Sequence, residues 1–160
     1  MSVFKNQFSK ALSVIKSDNA DIPFPQATTS GTSTSVVANS LVDNTKNFND
    51  LNVKAGDIVY NTTDGSAATV LSVVNNTTLL LNADIFGATA KAYTLYAASA
   101  QNTIGNRGCN LYVGGTGTLV VTTIDGSEAT FAAVPAGTIL PVQVVKLKSA
   151  STATSVIALW

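Results

Sequence analysis

Residues 108–160 read as short apolar or alternating segments set between turn-forming breaks. NLYVG (110–114), GTLVVTTI (117–124), EATFAAV (128–134), ILPVQVVKLK (139–148) and TSVIALW (154–160) are separated by Gly-Gly, Asp-Gly, Pro-Ala-Gly and Lys-Ser-Ala-Ser breaks, the rhythm of a small antiparallel β-domain. Gly114, Gly115 and Gly117 are expected to form a hairpin between the first two segments. Pro141 cannot donate to a ladder, so it is expected at a sheet edge or a strand start. Trp160 ends the last strand, and its area calls for burial or an interface.

The middle of the chain has the same style. SVVANSLVDN (35–44), DIVYNTT (57–63), AATVLSVV (67–74), TTLLLNADI (77–85) and AYTLYAA (92–98) are strand candidates. Asp64-Gly65 and Asn75-Asn76 are the best hairpin signals, because Gly and Asn tolerate the positive φ of tight turns. Lys54-Ala55-Gly56-Asp57 reads as the turn feeding the second of these strands. Between residues 3 and 16, Phe4, Phe8, Leu12 and Ile15 recur at helical spacing, which predicts a short amphipathic helix. Such a helix is marginal alone, so its apolar face must dock on the chain's own β-layer or on a neighbouring chain, with a membrane surface the weaker option. Residues 17–34 carry Pro23, Pro25 and Gly31 among Ser, Thr and Asn, which predicts an extended linker.

The expected fold is all-β: two small antiparallel β-barrel or sandwich modules with one short amphipathic N-terminal helix. The expected organisation is a helix or arm at 1–16, a linker at 17–34, a β-module at 35–98 and a second β-domain at 99–160.

Composition narrows the function. The 160-residue chain is 46% hydrophobic, enough for a packed core, but only 11% charged, with nine basic and nine acidic residues and no net charge. Nucleic-acid binding needs a basic stripe, and the basic cluster here is Lys5, Lys10 and Lys16, so neither nucleic acid nor membrane is an expected partner. A neutral surface of hydroxyls, amides and methyls suits large contacts with other chains. No segment approaches about 20 consecutive apolar residues, and the N-terminus has no signal-peptide pattern.

Chemistry is sparse. The chain has no histidine, which removes Ser-His-Asp and Cys-His systems and most zinc sites. Asp57, Asp64, Asp84, Asp125 and Glu128 remain as candidate acids, but Asp57, Asp64 and Asp125 adjoin glycine, where turn preference explains them. The runs Gly105-Asn106-Arg107-Gly108 and Gly114-Gly115-Thr116-Gly117 lack the phosphate-loop pattern and a following helix. No acidic run resembles a calcium loop. Catalytic residues, metal and cofactor are therefore all expected to be none. The single cysteine, Cys109, reads as a small buried hydrophobe, with a lowered pKa beside Arg107 as the alternative. Arg107 is the sole arginine, either a solvated loop residue or the partner of a carboxylate on another subunit. Tyr60, Tyr93, Tyr96, Tyr112, Phe86, Phe131 and Trp160 are core aromatics or, if exposed, a sugar-binding surface. Candidate assembly contacts are Phe4, Phe8, Leu12, Ile15, Arg107 and Trp160.

The terminal residues carry a resemblance. Leu111 to Val121 follow L-Y-V-G-G-x-G-x-L-x-V, Val134 to Val142 follow V-P-A-G-x-x-L-P-V, and Thr152 to Trp160 follow T-A-T-x-[IV]-x-A-L-[WY]. These resemble the β-domain of phage and gene-transfer-agent head spike base proteins, and the Ser17 to Ile22 stretch is similar to the segment preceding that domain. The resemblance implies a domain built from both flanks, with the middle region inserted; its run from Val53 to Val70 resembles β-modules of tailed-phage structural proteins. It further implies a non-enzymatic virion protein, made in the host bacterial cytoplasm and placed on the capsid surface. There it would serve as a spike or fibre base or a decoration or cement protein. The expected partners are copies of itself, as a trimer or ring, and the major capsid protein or other virion proteins. A glycan-binding host-recognition module and a neck- or tail-attached protein are the alternatives, and a hydrolase using Asp57 or Glu128 is a third.

Overall fold

The computed structural model describes residues 8–98 and 108–160. Within them the chain forms twelve strands and no helix. Strands β1 (Ala11–Ser13), β8 (Cys109–Gly115), β9 (Gly117–Thr123), β10 (Glu128–Val134), β11 (Ile139–Leu147) and β12 (Thr154–Leu159) make one antiparallel sheet, ordered β1-β12-β8-β11-β9-β10. Strands β2 (Ala27–Thr32), β3 (Ser40–Val42), β4 (Ile58–Asn61), β5 (Ser66–Asn75), β6 (Thr78–Leu81) and β7 (Ala92–Tyr96) make the other, ordered β2-β7-β4-β5-β6-β3. The first, or terminal, sheet draws on both ends of the chain; the middle sheet uses the stretch between.

Alternation puts Cys109, Leu111 and Val113 of β8, Leu119 and Val121 of β9, Leu140, Val144 and Leu147 of β11, and Val156 and Ala158 of β12 into one core with Ile22, Val134 and Ala153. A sheet that gathers one face around a single core must curl. The pairing register shifts between Leu140 and Val144, between Val144 and Lys146, and between Phe131 and Val134, and such irregularities bend strands. The sheet does not close into a barrel, because β1 and β10 remain its two edges.

Two expectations for this sheet are corrected. Pro141 is neither at an edge nor at a strand start: β11 is flanked by β8 and β9, and Pro141 sits inside the first register shift, where no ladder donor is required. The glycines at 114, 115 and 117 do not make a hairpin, since β11 lies between β8 and β9. They permit close approach instead, because a Cβ on Gly117 would collide with the Ala153 backbone and one on Gly115 with the Thr154 hydroxyl.

The N-terminal helix is also corrected over residues 8–16; Phe4 lies outside the described residues. The free edge of β12 captures this segment as β1, with Leu12 opposite Ala158, Val14 N–H donating to Val156 O at 3.0 Å and Trp160 N–H donating to Lys10 O at 3.0 Å. Tertiary pairing thus overrides a helical spacing too short to sustain itself. The extended reading of 17–34 underestimates its end, where Ala27–Thr32 pairs with β7 as β2.

In the middle sheet, Val59, Ala68, Val70, Leu79, Leu81, Tyr93 and Leu95 share a core with Leu41, Phe48, Val53 and Phe86. Strand β4 is buried at all four positions, because its opposite face, Ile58 and Tyr60, packs with Ala67, Tyr96 and Ala20 against Leu12 and Ile15. Burial on both faces explains a strand without alternation. The hairpin at Asp64-Gly65 joins β4 to β5, held by the buried Asn61 side chain, which donates to Asp64 and to Ile85 O and accepts from the Thr63 and Asp64 N–H groups. The Asn75-Asn76 hairpin joins β5 to β6 without a positive φ; the Asn75 side-chain Oδ1 accepts from Thr77 N–H and hydroxyl instead. A Ser35–Val42 bridge and a bond from Thr34 N–H to Val42 O bring the continuation of β2 against β3, so this sheet's edges converge.

A buried polar contact ties β2, β3 and β7 together. Tyr93 hydroxyl donates to Asp43 at 2.7 Å, and both residues are almost wholly buried. The other carboxylate oxygen accepts from Thr45 N–H and hydroxyl. Burial alone would raise the Asp43 pKa, but these hydrogen bonds and the nearby Lys46 charge outweigh it and hold the carboxyl below its ordinary value. Gly31 lies against this contact, where a Cβ would come within 2.6 Å of the Asp43 carboxylate and 2.9 Å of the Tyr93 hydroxyl.

Replacing Tyr93→Phe leaves a buried carboxylate short of a donor and is expected to cost about 1–3 kcal/mol in urea unfolding near neutral pH. A carboxyl with a lowered folded pKa contributes fully above the ordinary value of 3.8 and loses that contribution as pH falls through the folded value. The gap between wild type and Tyr93→Phe should therefore narrow in acid. An equal gap at all pH values would contradict a charged Asp43 as the acceptor.

Candidate assembly surface

The acids serve turns and surface pairs. Asp57 accepts Lys54 N–H at 2.9 Å and Ala98 N–H at 3.0 Å, closing the turn before β4. Asp64 pairs with Lys91 at 2.8 Å, which with the Asn61 amide lowers its pKa. Asp125 accepts from the Thr123 hydroxyl and from Ser127 N–H and hydroxyl, and these bonds pull its pKa down to about 2. Glu128 pairs with Lys148 at 2.6 Å, and Asp84 is exposed. Asp57 precedes a strand of the middle sheet and Glu128 opens one of the terminal sheet, so they belong to different layers rather than to a facing pair. Among the described residues, no three of Asp, Glu or Cys gather closely enough to hold a metal ion.

The Cys109 thiol is buried and donates to Val144 O at 3.3 Å, and burial pushes its pKa up to about 12. That makes it a core residue with almost no thiolate. Tyr60, Tyr93, Tyr96 and Phe86 are buried, and Tyr112, Phe131 and Trp160 half-buried. Tyr60 meets Tyr96 edge-on at 5.5 Å and Phe86 meets Tyr93 edge-on at 6.3 Å, packing that takes up these four rings inside the chain.

The six candidate contacts separate. Phe4 and Arg107 lie outside the described residues. Leu12 and Ile15 pack against the outer face of β4 and β7, and Trp160 meets Phe24 edge-on at 5.6 Å, so these three side chains work inside the chain. Phe8 is 39% exposed and shares an open depression with Asn110, Pro141 and Ile139, itself 47% exposed.

A larger apolar surface lies on the middle sheet and was not among the sequence candidates. Leu80 of β6 stands opposite Ser72 of β5, so the two share one outward face, while Ser40 of β3, opposite Leu80 on its other side, is buried. Along β5, Leu71 and Val74 flank Ser72 and are 50% and 58% exposed. Val36 and Val37, about half exposed, adjoin Ser40, whose N–H donates to Val37 O at 3.1 Å. The signal was present in the sequence: Val70-Leu71, Val73-Val74 and Leu79-Leu80-Leu81 are apolar at neighbouring positions, and a strand with one face on a core must expose every second one. No side chain in this group is charged. Exposed apolar side chains grouped on one sheet face, as Leu71, Val74 and Leu80 are, mark an interaction site more often than scattered single residues do.

No family model matches the chain, and no curated protein or solved structure matches it either. What the fold and surface define is therefore a class: an all-β chain of two antiparallel six-stranded sheets with an exposed apolar sheet face.

The buried thiol yields a direct check on the terminal core. Cys109 should react with a maleimide only as fast as the terminal sheet opens, and labelling should accelerate with urea in step with unfolding. Fast labelling of the native protein would contradict the packing of β8 against β11.

Proposed function

We propose that this chain is a non-enzymatic bacteriophage virion structural protein, associated with the head as a spike or fibre base or as a capsid decoration or cement protein. It acts by protein–protein assembly. The observation that carries the reading is the uncharged apolar face of Leu71, Val74 and Leu80, on a chain whose Asp57 and Asp125 are engaged in turns and whose Glu128 is ion-paired. The terminal motifs that resemble head spike base proteins supply the virion context. Its partners are copies of itself, in a trimer or ring, and the major capsid protein or another virion protein. Its place is the capsid surface. The glycan-binding alternative is weaker, because stacking on sugar needs open aromatic faces, and among the described residues Phe8 is the one exposed aromatic while the seven named above are buried or half-buried.

The test uses heads of the phage that encodes the chain, assembled without it. Wild-type protein should sediment with the heads saturably. The double variant Val74→Asp, Leu80→Asp should remain in the supernatant while keeping its circular-dichroism spectrum, since both side chains face solvent and burying an apolar side chain of this size is worth roughly 1.5–3 kcal/mol. Wild-type protein that stays in the supernatant with intact heads would overturn the proposal.

A further inference from the structure

The terminal and middle cores have no residue in common, and no strand of one sheet pairs with a strand of the other. Among the described residues the sheets meet along the segment from Ser17 to Phe24 and at a small cluster, where Ala20, Leu12 and Ile15 face Ile58, Tyr60, Ala67 and Tyr96.

That segment holds its two sides unequally. Toward the terminal sheet it is bonded through its backbone, with Ser17 N–H donating to Leu147 O at 2.8 Å and Ile22 N–H to Val145 O at 2.7 Å. The Ile22 side chain enters the terminal core, Phe24 meets Trp160 edge-on, and Asp21 pairs with Lys146 at 3.5 Å. Toward the middle sheet the bonds come from side chains instead. The Ser17 hydroxyl donates to Ala67 O at 3.0 Å, while the Thr69 hydroxyl and the Asn82 amide share a single acceptor, Asn19 O, in solvent-exposed positions. Bonds that water can replace contribute little net stability. The segment thus belongs to the terminal sheet, and the weaker plane lies between it and the middle sheet.

Tyr60 lies in that plane. It is 3% exposed, and its hydroxyl has no hydrogen-bond partner among the described residues. Burial raises its pKa; the Ile15 N–H favours the phenolate, but as a donor it cannot accept the hydroxyl proton. A buried hydroxyl without an acceptor is costly, and water supplies one as soon as the two walls separate. Tyr60 therefore works against closure from inside the contact that closure makes.

We propose that this seam is a built-in release point, along which the middle sheet parts from the terminal sheet and the Ser17–Phe24 segment as a unit, with both six-stranded sheets intact. Opening of this kind lets the middle sheet, with its exposed Leu71, Val74 and Leu80, change its angle while the terminal sheet stays fixed. The proposal does not rest on the virion reading: it concerns the free chain and is tested without phage heads.

Thiol labelling tests it, because Ala67 on the middle wall of the seam and Cys109 in the terminal core are both 3% exposed. Maleimide should label the thiol introduced by Ala67→Cys about tenfold faster than Cys109 of the same molecule, the two being separated by peptide mass spectrometry. Its labelling should be nearly flat in low urea, whereas that of Cys109 climbs with unfolding. Adding Tyr60→Phe removes the hydroxyl that opening relieves and should slow labelling at the introduced thiol about tenfold. Labelling of both thiols in step at every urea concentration would overturn the proposal, as would a rate at the introduced thiol that Tyr60→Phe leaves unchanged or raises. Should Ala67→Cys fail to fold, tetranitromethane should nitrate Tyr60 of the native wild type ahead of Tyr93, which is buried in the middle core; nitration of Tyr93 first, or of both together, would overturn it equally.

Discussion

The segment from Ser17 to Phe24 is bonded to both sheets, and their mutual placement depends on it. On the terminal side, Ser17 N–H donates to Leu147 O at 2.8 Å, Ile22 N–H to Val145 O at 2.7 Å, and the Ile22 side chain enters the terminal core. On the middle side, the Ser17 hydroxyl donates to Ala67 O at 3.0 Å, while the Thr69 hydroxyl and the Asn82 amide both donate to Asn19 O. Ala20 fills the cluster with Ile58, Tyr60, Ala67 and Tyr96. A stretch with so many polar side chains would be a poor core element. It succeeds because its backbone groups, which would otherwise be buried without partners, are taken up by strands on either side.

Much else follows from that clamp. With the segment fixed, Leu12 and Ile15 lie on the outer face of β4 and β7, and β1 is drawn along β12 as far as the backbone of Trp160. The middle sheet therefore has two buried faces where it meets the terminal sheet and one exposed face farther out, at β5 and β6. Residues that would be liabilities on an isolated monomer, Leu71, Val74 and Leu80, lie on the stretch of β5 and β6 that the clamp's cluster does not cover. A chain with so little charge has few means of keeping such a face solvated, and that supports the proposed assembly role.

The strands were largely legible from residue pattern, because breaks such as Asp64-Gly65, Asn75-Asn76 and Asp125-Gly126 punctuate runs whose alternation matches one buried face. What local pattern could not contain was partnership. Nothing near Gly114 announces that β11 will lie between β8 and β9, and nothing near Phe8 announces that β12 will have a free edge to recruit it. Pro141 misled for a related reason: its missing N–H argues against a central strand only where the ladder is regular. The candidate contacts divided along the same line. Leu12, Ile15 and Trp160 are apolar enough for an interface, but tertiary geometry uses them internally, whereas the apolar doublets of β5 and β6 carried an exposure signal readable from alternation.

Cryo-electron microscopy of intact virus particles bearing this chain, should the proposed virion role hold, tests that claim most directly. The account predicts density on the outside of the head into which both six-stranded sheets fit, with the face of Leu71, Val74 and Leu80 covered by a neighbouring subunit. Fully decorated particles that lack such density, with the protein recovered only free in the lysate, would contradict it.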